Sequence, residues 1–308
     1  MSLSVDYASL VRSVARQLGY GSVYSTGTVE ATASTKTIKL TGGVWPAWAG
    51  DAAINIEGTV YGITSRKDED EIKVDSIGDL SSGKKYVLVQ SITDDKADTF
   101  LDIQDVIDQG YREFCFPAPA QEPYFVWSWL LEKKAIDLKH NTSEYVLGSD
   151  FGQYVDNSVV YKSGIDEPPL SLISEREFRA EQSRDEGKGV PRYVTWRQKA
   201  FASATGREFE LLVYPTPESA SFPGETLTGG TPGNNLIEYY MRVVPAALSP
   251  DAPFPLCGDI HGDTLLKSCQ AVAERKLGDD AGIYEGKFKE RLAASMAVDR
   301  AVKATIGV

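Results

Sequence analysis

The stretch DTLLKSCQAVAERKLGDDAGIYEGKFKERLAASMAVDRAVKATIGV, residues 263–308, decides the fold. In its first half Leu265, Leu266, Cys269, Val272, Ala273 and Leu277 recur at spacings of three and four, which is one face of a helix. Gly278 ends the run as a left-handed stop, and Asp279 or Asp280 is placed to cap a second helix. That helix carries Tyr284, Phe288, Leu292, Ala293 and Met296. Beyond it the face thins to Ala297, Val298, Ala301, Val302 and Ala304. The tail through Lys303, Ile306 and Val308 has too little apolar bulk to bury itself, so it is expected to dock on a partner or to fray.

Working outward, helical periodicity also opens the chain from Ser4, where Tyr7, Leu10, Val11, Val14 and Leu18 form a stripe that Gly19 and Gly21 end. From Ser22 to Ile92 the pattern alternates instead, as in Thr37-Ile38-Lys39-Leu40 and Ala53-Ile54-Asn55-Ile56. Turn clusters follow at Gly42-Gly43, Glu57-Gly58, Lys67-Asp68-Glu69-Asp70 and Ser81-Ser82-Gly83. Such spacing predicts a small antiparallel barrel or sandwich. A helix returns at Thr99, with Asp102 completing a capping box ahead of Ile103, Val106, Ile107, Tyr111 and Phe114. Phe116-Pro117-Ala118-Pro119 breaks it, and a second β-rich region runs to Pro255. Its expected strands are 124–131, 135–139, 158–161, 192–197, 208–214 and 237–244. One helix interrupts them, with Ser174 and Glu177 as its capping box and Ile173 and Phe178 as a hydrophobic staple. The Gly- and Thr-rich segment Thr226 to Asn235 reads as a mobile loop.

The expected fold class is therefore α+β: a discontinuous helical bundle with an inserted small β-barrel or sandwich and a second β-rich domain. The bundle would take residues 1–21, 97–116 and 256–308, the inserted module 22–96, and the second domain 117–255.

Composition narrows the function. With 32 Lys and Arg against 44 Asp and Glu the chain carries −12, a balance that opposes phosphate-neutralising grip on nucleic acid but suits a wall past which DNA slides. Cys115, Cys257 and Cys269 lie in or beside apolar runs, odd in number and without paired spacing, and read as reduced core thiols. No eighteen-residue apolar run or signal-type N-terminus is present, so no membrane partner is expected and folding is placed in the cytoplasm.

Catalytic motifs are weak. Gly258-Asp259-Ile260-His261-Gly262 resembles the opening motif of metallophosphoesterases, yet the chain has only two histidines and lacks the further motifs of that family. A cap role for Asp259 or Asp263 is the plainer reading. His140 lies in a polar turn, no nucleophile elbow exists, and Gly187-Lys188-Gly189 lacks the spacing of a phosphate loop. No catalytic, cofactor or metal residue is assigned. Phe125, Trp127 and Trp129 alternate on one strand face and are read as core, with a glycan-stacking platform as the alternative. From Tyr284 onward Lys287, Lys289, Arg291, Arg300 and Lys303 outnumber Glu285, Glu290 and Asp299, a local reversal of sign in an acidic chain.

Three segments carry a resemblance to a known family: Val190-Pro191-Arg192-Tyr193; Leu211-Leu212-Val213-Tyr214-Pro215-Thr216-Pro217; and Tyr239-Tyr240-Met241-Arg242-Val243-Val244-Pro245 with Leu248-Ser249 and Pro253. Together with the Leu10-Val11 helix and the β insertion, this order resembles the head-to-tail connectors of tailed bacteriophages, of the adaptor type that docks beneath the portal. The resemblance implies a non-enzymatic virion protein at the neck, forming a twelve-fold ring with neighbouring copies, bundle inward and β domains outward. Its partners would be the portal protein, downstream tail proteins and double-stranded DNA in passage. A stopper ring one level lower is the alternative within that family, and a glycan-binding virion-surface β protein the alternative outside it. The portal- or subunit-binding residues are then expected at Val298, Arg300, Val302, Lys303, Ile306 and Val308, and truncation after Ala297 is expected to abolish docking without unfolding the chain.

Overall fold

A computed structural model describes residues 4–117, 125–155, 159–162, 167–184, 187–199, 208–219, 236–278 and 282–306, with side chains from 303 onward left out. The Thr226 to Asn235 loop, Asp279, Asp280 and Val308 lie outside the described residues. The chain divides into two compact units, residues 1–128 with 247–308, and residues 129–246. The helices expected in the bundle and the inserted β module thus share one unit.

The first unit opens with α1 (Tyr7–Gln17). It starts at Tyr7, three residues later than the sequence pattern suggested, because Asp6 caps it. The Asp6 carboxylate accepts the Ser9 N–H at 2.9 Å, and the Asp6 N–H donates to the Ser9 hydroxyl at 3.0 Å. Eight strands follow: β1 (Val23–Tyr24), β2 (Thr28–Thr32), β3 (Thr37–Thr41), β4 (Ala52–Ile56), β5 (Thr59–Arg66), β6 (Glu71–Val74), β7 (Leu80–Lys84) and β8 (Tyr86–Gln90). They form one sheet in the order β1-β8-β4-β5-β6-β3-β2-β7. The sheet is open, with β1 and β7 at its edges, so of the expected barrel or sandwich the closed barrel does not form. Instead β5 pairs β4 through its first half and β6 through its second, with a register shift between Ile63 and Ser65. Ile54, Ile56 and Leu88 from one half share a core with Val29, Ile38, Leu40 and Ile72 from the other, around fully buried Trp45. The β4–β5 hairpin turns on Glu57 and Gly58, both at positive φ, the pattern of a two-residue type I′ turn. Ser81-Ser82-Gly83 is not a turn: it is the exposed middle of the edge strand β7, which pairs antiparallel with β2.

α2 (Lys96–Cys115) returns across the sheet. Its cap is Asp95, whose side chain accepts from the Asp98 N–H, and not the predicted Thr99, which is buried inside the first turn.

The second unit comprises β9 (Leu131–Ile136), β10 (Glu144–Val146), β11 (Phe151–Tyr154), β12 (Val160–Tyr161), β13 (Ser171–Leu172), α3 (Glu175–Arg184), β14 (Lys188–Gly189), β15 (Tyr193–Gln198), β16 (Phe209–Tyr214), β17 (Thr216–Pro217) and β18 (Ile237–Val243). One sheet runs β10-β16-β15-β13, and in the other β18 pairs β9, β11 and β12. Their inner residues, among them Val194, Leu211, Val213, Tyr239 and Met241, form one core. On the outer face of β16, Leu212 and Tyr214 receive Phe178 of α3, with Ile173 alongside. The Ser174–Glu177 capping box is present, Glu177 accepting from the Ser174 N–H at 2.9 Å.

The chain then returns to the first unit as α4 (Gly262–Lys276) and α5 (Ile283–Ile306). α4 packs against α1, α2 and α5. Gly278 after α4 has φ +86°, the left-handed stop its position predicted. All three cysteines are free and buried.

Candidate interaction surface on the last helix

α5 buries Phe288, Leu292, Ser295, Met296 and Asp299, a stripe with steps of four, three, one and three. Its start is held by α4: the Glu274 carboxylate accepts the Tyr284 N–H at 2.8 Å and the Glu285 N–H at 3.3 Å. Arg275 then ties Glu285, at 2.9 Å, to Glu113 of α2, at 2.6 Å. Midway, the Thr264 and Ser295 hydroxyls share a buried hydrogen bond of 2.6 Å.

Past Met296 the pattern changes. Asp299 is 1 % exposed and takes a polar role, both its oxygens accepting the Ser128 N–H at 3.1 Å and one accepting the Ser128 hydroxyl at 2.5 Å. Arg300 places its guanidinium 5.6 Å from the Phe125 ring centroid, a cation–π contact. Val298 and Val302 are 43 % and 44 % exposed, and Ala297 and Ala301 are exposed with them. So of the six residues predicted to bind a partner, Val298 and Val302 lie open on one face, Arg300 is engaged with Phe125, Lys303 and Ile306 lie within the helix without described side chains, and Val308 is outside the described residues. The basic end is also largely answered by its own chain: Lys289 pairs Glu285 at 3.1 Å, Arg291 pairs Asp263 at 3.2 Å, and Lys287 lies over the Tyr284 ring.

The aromatic run faces inward. Trp127 is fully buried, its indole N–H donating to the Phe114 carbonyl at 3.0 Å, and its ring meets Phe125 edge-on at 4.9 Å. Residues 125–130 form no strand, so period-two alternation does not apply there, and Trp127 is closed to a stacking sugar.

His261 is 4 % exposed beside the Trp127 and Phe114 rings, at centroid distances of 5.4 and 6.5 Å. Burial lowers its pKa, with the Asp299 charge opposing. Asp259 and Asp263 point outward from that ring, and neither caps α4, whose start has no side-chain cap. Among the described residues no group of three or more His, Cys, Asp or Glu could hold a metal ion. His140 Nδ1 accepts the Ser219 N–H at 3.2 Å, a local structural bond.

Sequence reasoning missed Glu274 and the Ser128–Asp299 clamp. Glu274 sits ten residues before the N–H it caps, and Ser128 is 171 residues from Asp299, so no local pattern could reveal either.

No protein-family model matches this chain, and no curated protein matches it.

Proposed function

We propose that the chain is a structural adaptor of a tailed-phage virion: a ring of copies at the neck that docks beneath the portal protein, joins head to tail proteins and lets double-stranded DNA pass. In this reading the helices gathered from both ends and the middle of the chain form the inner bundle, and the β elements lie outside it. The role is mechanical, with no catalytic step.

The observation that carries the reading is the incomplete cover of α5. Among the side chains described beyond Met296, the buried one is a carboxylate, Asp299, while Val298 and Val302 stand open. Apolar side chains on consecutive turns of a helix gain about 25 cal/mol for each Å² that a partner removes from water. Each such contact is small, but a closed ring of them multiplies through effective concentration.

The direct test is the Val298→Asp/Val302→Asp double variant, since truncation after Ala297 would also remove the buried Asp299 carboxylate. The variant is expected to keep the thermal stability of the parent and to lose ring formation or portal docking, read by electron microscopy of the protein mixed with portal. Undiminished co-assembly would overturn the proposal.

A further inference from the structure

Arg12 and Arg16 occupy successive turns of α1 on its exposed side. Like charges at this spacing repel, and a helix ordinarily relieves them with a carboxylate three or four residues away. Here none exists: the neighbours at those distances are Ala8, Ser9, Ser13, Ala15, Gly19 and Tyr20. Neither guanidinium pairs with a carboxylate among the described residues, whereas Arg179, Arg184, Arg197, Arg275 and Arg291 all do.

Between this pair and the chain entering β1 lies a concavity of about 500 Å³, lined by Arg12, Arg16, Tyr20, Gly21, Ser22 and Val23. Its floor is fixed. The Gly21 N–H donates to the Gln90 carbonyl at 3.3 Å, the Ser22 N–H to the Gln90 side chain at 3.2 Å, and the Tyr20 hydroxyl to Asp102 at 2.9 Å. A Cβ on Gly21 would fall 2.6 Å from the Gln90 side-chain oxygen, so glycine there keeps the floor in place. With those donors committed, the groups left for a ligand are the two guanidinium forks and the exposed Ser22 hydroxyl.

We propose that this concavity binds the phosphate group of a small molecule, held by Arg12 and Arg16 with Ser22 as a third donor. Planar guanidinium groups match the oxygens of a phosphate in pairs, and two of them oppose a dianion without a metal. The size of the anion follows from charge. At −12 the chain repels a long polyanion over the whole of its surface, while a compact phosphate feels mainly the two cations within a Debye length.

The experiment is a titration of the full chain with inorganic phosphate, followed by calorimetry and by 31P NMR, on the parent, Arg12→Gln, Arg16→Gln and the double variant. Both side chains are exposed, so equal thermal unfolding of the four proteins is expected. The parent should bind saturably and yield to competing sulfate; each single variant should bind about tenfold more weakly or worse, and the double variant not at all. Saturation absent at tens of millimolar phosphate, or unchanged in the double variant, would overturn the site. So would a short DNA duplex that binds the parent, fails on the double variant and is not displaced by phosphate, since the groove would then serve nucleic acid. A double variant that alters self-association while phosphate binds neither protein would assign the pair to a carboxylate of another copy, and also overturn it.

Discussion

Two glycines of the helices separate propensity from contact. A Cβ on Gly110 of α2 would fall 2.7 to 2.8 Å from Cys269 backbone and sulfur atoms on α4, and the Ser268 hydroxyl donates to the Gly110 carbonyl at 2.8 Å. Nothing there can step aside, so Gly110→Ala should cost about 1–3 kcal/mol, against a helix preference for alanine of about 1 kcal/mol. Gly286 on α5 has nothing within 4 Å of its would-be Cβ, and Gly286→Ala should stabilise by about 1 kcal/mol. Opposite shifts in Tm for the two variants are the expected result; equal shifts would mean that the α2–α4 approach is looser than described. Asp108, on the same helix, tests charge. Burial raises its carboxyl pKa, opposed by the Gln104 amide, which donates to it at 3.1 Å. A carboxyl whose folded pKa is raised contributes stability below its unfolded pKa and loses that contribution as pH rises through the folded value. At neutral pH the ionised group therefore costs stability. Asp108→Asn keeps an acceptor for Gln104 and removes the charge, so its Tm at pH 7 should rise by about 1–3 °C, with the gain gone below about pH 4.

At the scale of elements, the helices were legible where burial follows 3.6 periodicity. Tyr7, Leu10, Val11 and Val14 of α1, and Ile103, Val106, Ile107 and Phe114 of α2, are all buried on the faces their spacing implies. β16 and β18 were legible because each supplies an alternating or continuous apolar run to the shared core of their unit, and β15, which gives it Val194, was legible beside them. Three features escaped for physical reasons. Residues 125–128 form no strand, and their contacts include the Trp127 indole N–H on the Phe114 carbonyl and the Ser128 N–H on Asp299, a residue far along the chain. β7 is an edge strand whose Ser81, Ser82 and Gly83 are exposed and whose only residue packed against the described core is Leu80. The sheet stays open, and the register shift at which β5 passes from β4 to β6 is not marked by composition. At the α5 start the sequence pointed to Asp279 or Asp280 as a cap, and both lie outside the described residues; the described partner of the Tyr284 and Glu285 N–H groups is Glu274. Glu274→Ala should cost about 1 kcal/mol and speed amide exchange in the first turn of α5, leaving exchange in α1 and α2 unchanged. Exchange at Tyr284 and Glu285 equal to that of the parent would show that another group caps the helix.

For the molecule as a whole, net charge and the open face of α5 make a joint prediction about assembly. Copies at −12 each repel when brought together, and the repulsion reaches as far as the Debye length, roughly 30 Å at 0.01 M salt and roughly 3 Å at 1 M. Under the proposed function, contacts through Val298 and Val302 would be apolar and would not weaken with salt; their strength would instead grow on warming from low temperature, as burial driven by water entropy does. Ring formation, or docking on the portal, should therefore strengthen as NaCl is raised from about 0.01 M to about 0.5 M and as the sample is warmed from cold, measured by sedimentation velocity. An interface built on Arg300 and Lys303 against an acidic surface would behave the other way, since each screened ion pair would loosen the assembly. Arg300 is already spent on the Phe125 ring, which favours the apolar outcome. Rings that fall apart as salt rises would remove Val298 and Val302 from the interface and leave the cationic side of α5 as the surface that meets a partner.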